Sequence, residues 1–210
     1  MRIAFDIDGV ITDEPSFLEK YAVPFFRKRY GKEVCNPDAL RVRDMFGCSS
    51  FQEKMFRLKY VREYVIDEPA RPGMRELFHQ LIMDGDTPYI VTHRDFSDMK
   101  NVMGKWMRKS VEDRIEKDGL YPQPQEKKII YAPKGSDKSD ICLANDISIL
   151  IDDNSHIISA NSKKGIYTIK FNAKHNMNCV GERIYPASTV SDIYPLIQKI
   201  KGIVNKGEHN

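Results

Sequence analysis

Two aspartates, Asp6 and Asp8, follow the apolar run 3–5 and precede Gly9 in the stretch MRIAFDIDGVITDEP. Such a run reads as a buried strand, and two carboxylates at its end repel each other and resist ionising together. Either a positive group sits between them, or they are the polar turn that ends a strand. Further along, the run 88–91 ends in Thr92, His93 and Arg94, and the run 147–151 ends in Asp152, Asp153 and Asn154. Lys134 and Lys138 come before that last run, at the start of its helix. Singly, Asp-x-Asp or Asp-Asp after an apolar run is most often a turn or a helix cap. Together they would bring four carboxylates, a hydroxyl and an ammonium to one rim. So many hard oxygen donors need a divalent cation, and in a wet cleft they suit Mg²⁺.

For these residues to meet, their strands must lie side by side. From residue 74 onward, apolar runs alternate with helical periodicity. Helices are expected over 74–83, 137–144, 155–162 and 191–204, and strands over 88–91, 128–131, 147–151 and 166–171. A further helix, capped by Asp95, is expected to turn Phe96, Met99, Met103 and Trp106 to the core. Strands alternating with helices mean an α/β fold: a Rossmann-like, three-layer parallel sheet covered on both faces. Ligands of such sheets bind outside the carboxyl ends of the strands, where the acids lie.

Residues 16–68 interrupt this alternation. Phe17, Leu18, Tyr21, Phe25 and Phe26 recur at helical spacing, as do Phe51, Met55, Leu58, Val61 and Val65. The stretch 31–50 between them carries the Gly, Pro and Ser of a connector, and DEPARPGM closes the segment. The expected organisation is a core of residues 1–15 and 69–210 with a small helical cap, 16–68, inserted after the first strand.

With 210 residues, 41% hydrophobic and 30% charged, the chain can bury one good core. No apolar stretch approaches the roughly 20 residues that span a bilayer. One basic residue followed by acids is not a secretory signal, so the expected compartment is the cytoplasm. Four scattered cysteines without a CxxC pair argue against a zinc site or a disulfide framework. A net charge of +3 is too small to point to polymeric nucleic acid, and the basic runs 27–32 and 54–62 read as solvated helix faces.

DIDGVITD resembles the first motif of the haloacid dehalogenase-like (HAD) superfamily, and IVTHR resembles its second. A lysine ahead of a strand ending in Asp-Asp is similar to its third and fourth, so the resemblance spans residues 1–171 in order. It implies an HAD-like core and an Mg²⁺-dependent phosphatase. Asp6 would attack phosphorus to give an aspartyl-phosphate, while Asp8 would protonate the leaving oxygen and then activate water. Thr92 and a lysine would hold the phosphoryl oxygens. Lys138, at its helix start, fits the family's lysine better than Lys134 in the preceding loop. Gly9 would let the backbone turn tightly beside the substrate, and His93 and Arg94 stand where they could touch it.

The implied metal ligands are the Asp6 carboxylate, the Asp8 backbone carbonyl and Asp153, with Asp152 behind Asp153 or linked through water. An acid at position 8 favours phosphatases or phosphomutases over dehalogenases and transport ATPases. Among capped members the chain is most similar to the C-type 5′-nucleotidases acting on deoxyribonucleotides and their bacterial relatives. That likeness rests on YGKEV, PARPGM, LIDDN, FNAKHN and the closing Ser-Asp-Ile-Tyr helix. It implies a small phosphomonoester substrate, a nucleotide first, with sugar phosphates or other small metabolites as the alternative. Cap aromatics (Phe17, Tyr21, Phe25, Phe26, Tyr30, Phe46, Phe51) could stack on a base or be plain core. A receiver-type phospho-acceptor or a silent binding protein fits less well. The receiver carries its acids in the opposite order, and a silent member would have lost Asp6 or Asp8.

Overall fold

The structure is a computed structural model that describes residues 1–93, 101–133 and 137–207. Among the described residues there are six strands: β1 (Arg2–Phe5), β2 (Thr87–Thr92), β3 (Ile129–Tyr131), β4 (Ile149–Asp152), β5 (Tyr167–Phe171) and β6 (Ile184–Ala187). They form one sheet in the order β3-β2-β1-β4-β5-β6, and every neighbouring pair is parallel. The expected α/β, three-layer parallel sheet is thus observed.

The layers follow from strict alternation. Ile3, Phe5, Ile90, Ile149 and Ile151 pack with Phe78, Val111, Ile115, Ile193 and Ile197, from helices Met74–Met83, Val102–Lys117 and Val190–Gly207. Ala4, Val91 and Leu150 face the other way, against Cys142 and Ile157 of helices Lys138–Ala144 and Ser155–Lys163. The central strands are buried on both faces, which is why β1 and β4 read as unbroken apolar runs. Among the described residues no helix is long and apolar enough to cross a membrane. All four cysteines are free.

Between β1 and β2 the described elements are helical. Phe17, Leu18, Phe25, Phe26, Val42, Phe46, Cys48 and Phe56 build an apolar cluster distinct from those on the sheet. The two ends of this insertion meet: Thr12 bridges Ala70 antiparallel, and Arg71 N–H donates to Ile11 O at 2.7 Å.

Three expectations need correction, and one strand falls outside them. Met103 and Trp106 are 54% and 42% exposed, because their helix turns Gly104, Val111 and Ile115 inward instead. That helix is capped by Asn101, whose side chain accepts from Gly104 N–H; Asp95, Phe96 and Met99 lie outside the described residues. Phe51 and Leu58 are 68% and 60% exposed, and Phe56 fills the position beside Phe25 and Phe26. The stretch 31–50 is more than a connector, since it holds helix Val42–Met45 and gives Val42, Phe46 and Cys48 to the core. Finally, β6 carries no strong strand signal. It is short and contains Pro186, which has no N–H to donate and is tolerated because β6 is an edge strand.

Candidate active site

From β1 the chain builds β2 and β3 on one side, then crosses to β4 on the other. A parallel sheet has its crevice at such a reversal. Asp6 and Asp152 end the two strands that border it, and Asp6 N–H is pinned to Ile151 O at 2.9 Å. By alternation both carboxylates fall on the face of Ala4 and Leu150, the side covered by helix Lys138–Ala144. Asp137 caps that helix by accepting from Ser139 N–H, so Lys138 becomes its first residue. The Lys138 side chain is 1% exposed, with Nζ 2.9 Å from Asp6 Oδ1 and 2.8 Å from Asp152 Oδ2. The positive group demanded by the buried acids is therefore Lys138. Lys134 lies outside the described residues.

Asp6, Asp152 and Asp153 each offer a carboxylate oxygen within 4.8 Å of the others. Both Asp152 oxygens already accept, Oδ2 from Lys138 and Oδ1 from Asn154 N–H at 2.8 Å. Asp153 is 6% exposed and borders Gly9 closely: a Cβ on Gly9 would stand 2.2 Å from Asp153 Oδ2. Gly9 also has φ +78°, which favours glycine. The turn that carries it is wide, closed by Thr12 N–H on Ile7 O at 2.9 Å, and Asp6 Oδ1 accepts from Ile7 N–H at its start. Asp8 sits half-buried inside this turn with extended backbone angles.

One ammonium does not neutralise these acids. Burial, with the charges of Asp152 and Asp8, raises the Asp6 carboxyl to about 7 against the pull of Lys138. Burial, Asp152 and Asp6 hold Asp153 well above the ordinary carboxylate range. Burial alone would lower Lys138, but Asp152 and Asp6 outweigh it and keep the ammonium charged. Three converging carboxylates of hard oxygen, short of positive charge, fit a divalent cation such as Mg²⁺.

Thr92 ends β2 and is fully buried; its carbonyl accepts from Ala132 N–H, and among the described residues its Oγ1 has no partner. His93 follows it, half-buried, and Arg94 lies outside the described residues. Sequence reasoning missed Arg71 inside the PARPGM return. Its Nη2 is 3.1 Å from Asp13 Oδ1 and 3.3 Å from Gly9 O, and its guanidinium lies 5.1 Å from the Phe171 ring centroid. It also missed the roles of His175 and Asn176, which reach the Asp153 carbonyl.

Beside the Gly9 turn opens a cleft of about 530 Å³, lined among others by Asp13, Phe17, Tyr21, Arg71, Phe171 and Val190. The clustered acids do not line it; Arg71 connects the two. Of the aromatics, Phe17 and Tyr21 border this cleft, whereas Phe25, Phe26 and Phe46 are buried in the insertion's own core and Phe51 is exposed.

No protein-family model and no curated protein matches the chain. Its fold, however, is shared with solved structures. A haloacid dehalogenase-like family hydrolase from Xanthomonas campestris superposes with a TM-score of 0.61 at 10% identity, covering 98% of each chain. A β-phosphoglucomutase from Clostridium difficile gives 0.58 at 16% identity, covering 97% of this chain and 98% of its own. A D,D-heptose 1,7-bisphosphate phosphatase from B. bronchiseptica, complexed with magnesium and phosphate, gives 0.52 at 12% identity, covering 94% and 98%. The chain thus shares its α/β fold, a parallel six-stranded sheet, with haloacid dehalogenase-like hydrolases of known structure.

Proposed function

We propose that this chain is an Mg²⁺-dependent phosphomonoester hydrolase that works through an aspartyl-phosphate on Asp6. The observation that carries the reading is the buried Lys138 ammonium between Asp6 and Asp152, with Asp153 completing a cluster at ligand spacing. A carboxylate attacks a phosphate dianion poorly because like charges repel; a bound Mg²⁺ would offset that repulsion. Asp6, Asp153 and the Asp8 backbone carbonyl would hold the ion. Asp152, with both oxygens engaged, would stand behind them.

In the proposed reaction an Asp6 oxygen bonds to phosphorus as the ester P–O bond breaks, and Asp8 gives its proton to the departing alkoxide. Asp8 then takes a proton from water, which attacks phosphorus and releases inorganic phosphate and the Asp6 carboxylate. Lys138 and the buried Thr92 hydroxyl, unpartnered among the described residues, would bind the phosphoryl oxygens. The insertion 16–68 would act as the cap that excludes water and selects the leaving group.

We infer a 5′-nucleotide or deoxynucleotide as the substrate, its planar base set against Phe17 and Tyr21 in the cleft. Phosphate release from a panel of nucleotides and sugar phosphates tests both statements. Turnover of nucleotides that vanishes in Asp6→Asn is expected. Turnover of sugar phosphates alone would move the substrate to that class, and near-native activity in Asp6→Asn would remove the nucleophile.

A further inference from the structure

The β4–β5 ladder ends at the Asp152–Lys170 pair, one residue short of the acid that the proposed reaction requires on the cation. Beyond that point Asp153 has no rung to hold its backbone. The rung is supplied by side chains from the loop after β5. Asn176, 1% exposed, donates through Nδ2 to Asp153 O at 2.6 Å and to Phe171 O at 2.8 Å. Its Oδ1 accepts from Ala173 N–H at 3.0 Å, so the whole amide is engaged. His175 Nε2 lies 3.0 Å from the same Asp153 carbonyl and 3.5 Å from Asp153 Oδ2. A carbonyl only accepts, so that ring nitrogen carries the hydrogen.

We propose that Asn176, seconded by His175, is a positioning residue for the cation site: it fixes where the Asp153 carboxylate stands, and thereby how tightly the site holds a divalent ion. The inference rests on the metal-dependent reading above. Asp153 packs closely against Gly9 on one side, so its backbone anchor governs how far it reaches towards Asp6. An amide is suited to the task because its two N–H groups can bridge two carbonyls at once, here those of Asp153 and Phe171. Ligand-orienting partners of this kind are worth about ten- to a hundredfold in metal affinity.

The test is a Mn²⁺ titration of the full chain, followed by loss of the free-ion electron paramagnetic resonance signal. Asn176→Leu keeps the branched heavy-atom shape and removes the side-chain hydrogen bonds without adding charge. It is expected to weaken Mn²⁺ binding at least about tenfold, and His175→Phe to weaken it about threefold, as the weaker of two anchors. The Mg²⁺ concentration giving half-maximal activity should rise in step, while kcat at saturating Mg²⁺ recovers towards native. Ser49→Ala, which uncaps a distant helix of the insertion, should lower stability and leave Mn²⁺ affinity untouched. That separates positioning from general destabilisation. Native Mn²⁺ affinity in a folded Asn176→Leu overturns the proposal. Should that variant fail to fold, native affinity in His175→Phe overturns it. A native chain that binds no Mn²⁺ at all overturns the metal-dependent reading itself, a different result from variants that match a binding native chain.

Discussion

Gly9 shows how much one residue type decides here. Its φ of +78° would cost a side-chain-bearing residue roughly 1–2 kcal/mol, and a Cβ there would also collide with Asp153 Oδ2. Gly9→Ala is therefore expected to lose at least that much stability in urea unfolding. Phosphate release should fall about a hundredfold, since small displacements of catalytic groups carry costs of that size. Activity kept within a factor of two would show that Asp153 has freedom to move. The residue types of this site are readable in sequence because each follows or introduces an apolar run: Asp6 and Asp8, Thr92, Lys138, Asp152 and Asp153. Their contacts are not. That Lys138 bridges Asp6 and Asp152 depends on a helix start landing over strands that lie far away in the chain. Arg71 sits in a loop, and His175 and Asn176 in the single 3-10 turn Lys174–Asn176, too short for periodicity to reveal their contacts.

At the level of elements, residues 17–56 of the helical insertion build an apolar cluster of their own, while Val65 joins the sheet's core and Tyr64 packs against both. Phe26 is fully buried in the insertion's cluster, stacked on Phe46 with centroids 4.5 Å apart and planes at 20°. Phe26→Ala is expected to cost about 3–5 kcal/mol. Because none of its apolar cluster belongs to the sheet, the loss should be local. Hydrogen exchange should accelerate across residues 17–56 while β1, β2 and β4 keep their protection. Uniform acceleration through the sheet would mean that the two cores unfold as one. Sequence periodicity locates these helices but misassigns their faces. The spacing of Phe51, Met55 and Leu58 is as helical as that of Phe56 with its neighbours, and only the packing partners choose between them. Met103 and Trp106 are misassigned for the same reason.

Across the whole molecule, the buried acid cluster ties folding to pH. Asp6, raised to about 7 chiefly by burial, and Asp153, raised for the same first reason, hold protons in the fold that an unfolded chain releases near pH 3.8. Both contributions are complete below that value and fade as pH rises, that of Asp6 towards 7. With chelator present, the urea midpoint is expected to fall across this window. His175, lowered mainly by burial, opposes them near its ordinary 6.5. The lowered carboxyls, Asp137 at about 2 among them, act below the window. Excess Mg²⁺ should flatten the slope, because cation binding requires the carboxylates deprotonated. A midpoint indifferent to pH and to Mg²⁺ would contradict a shared cation site. By itself the amino-acid sequence determined the alternation of strand and helix and the placing of acids at strand ends, because these depend on local burial and spacing. Tertiary structure alone decided which side chains meet: the lysine between two acids, the amide under Asp153, the arginine beside Gly9 and the edge strand β6. Those depend on strand order and on distances between segments remote in the chain, and no local pattern of residues encodes them.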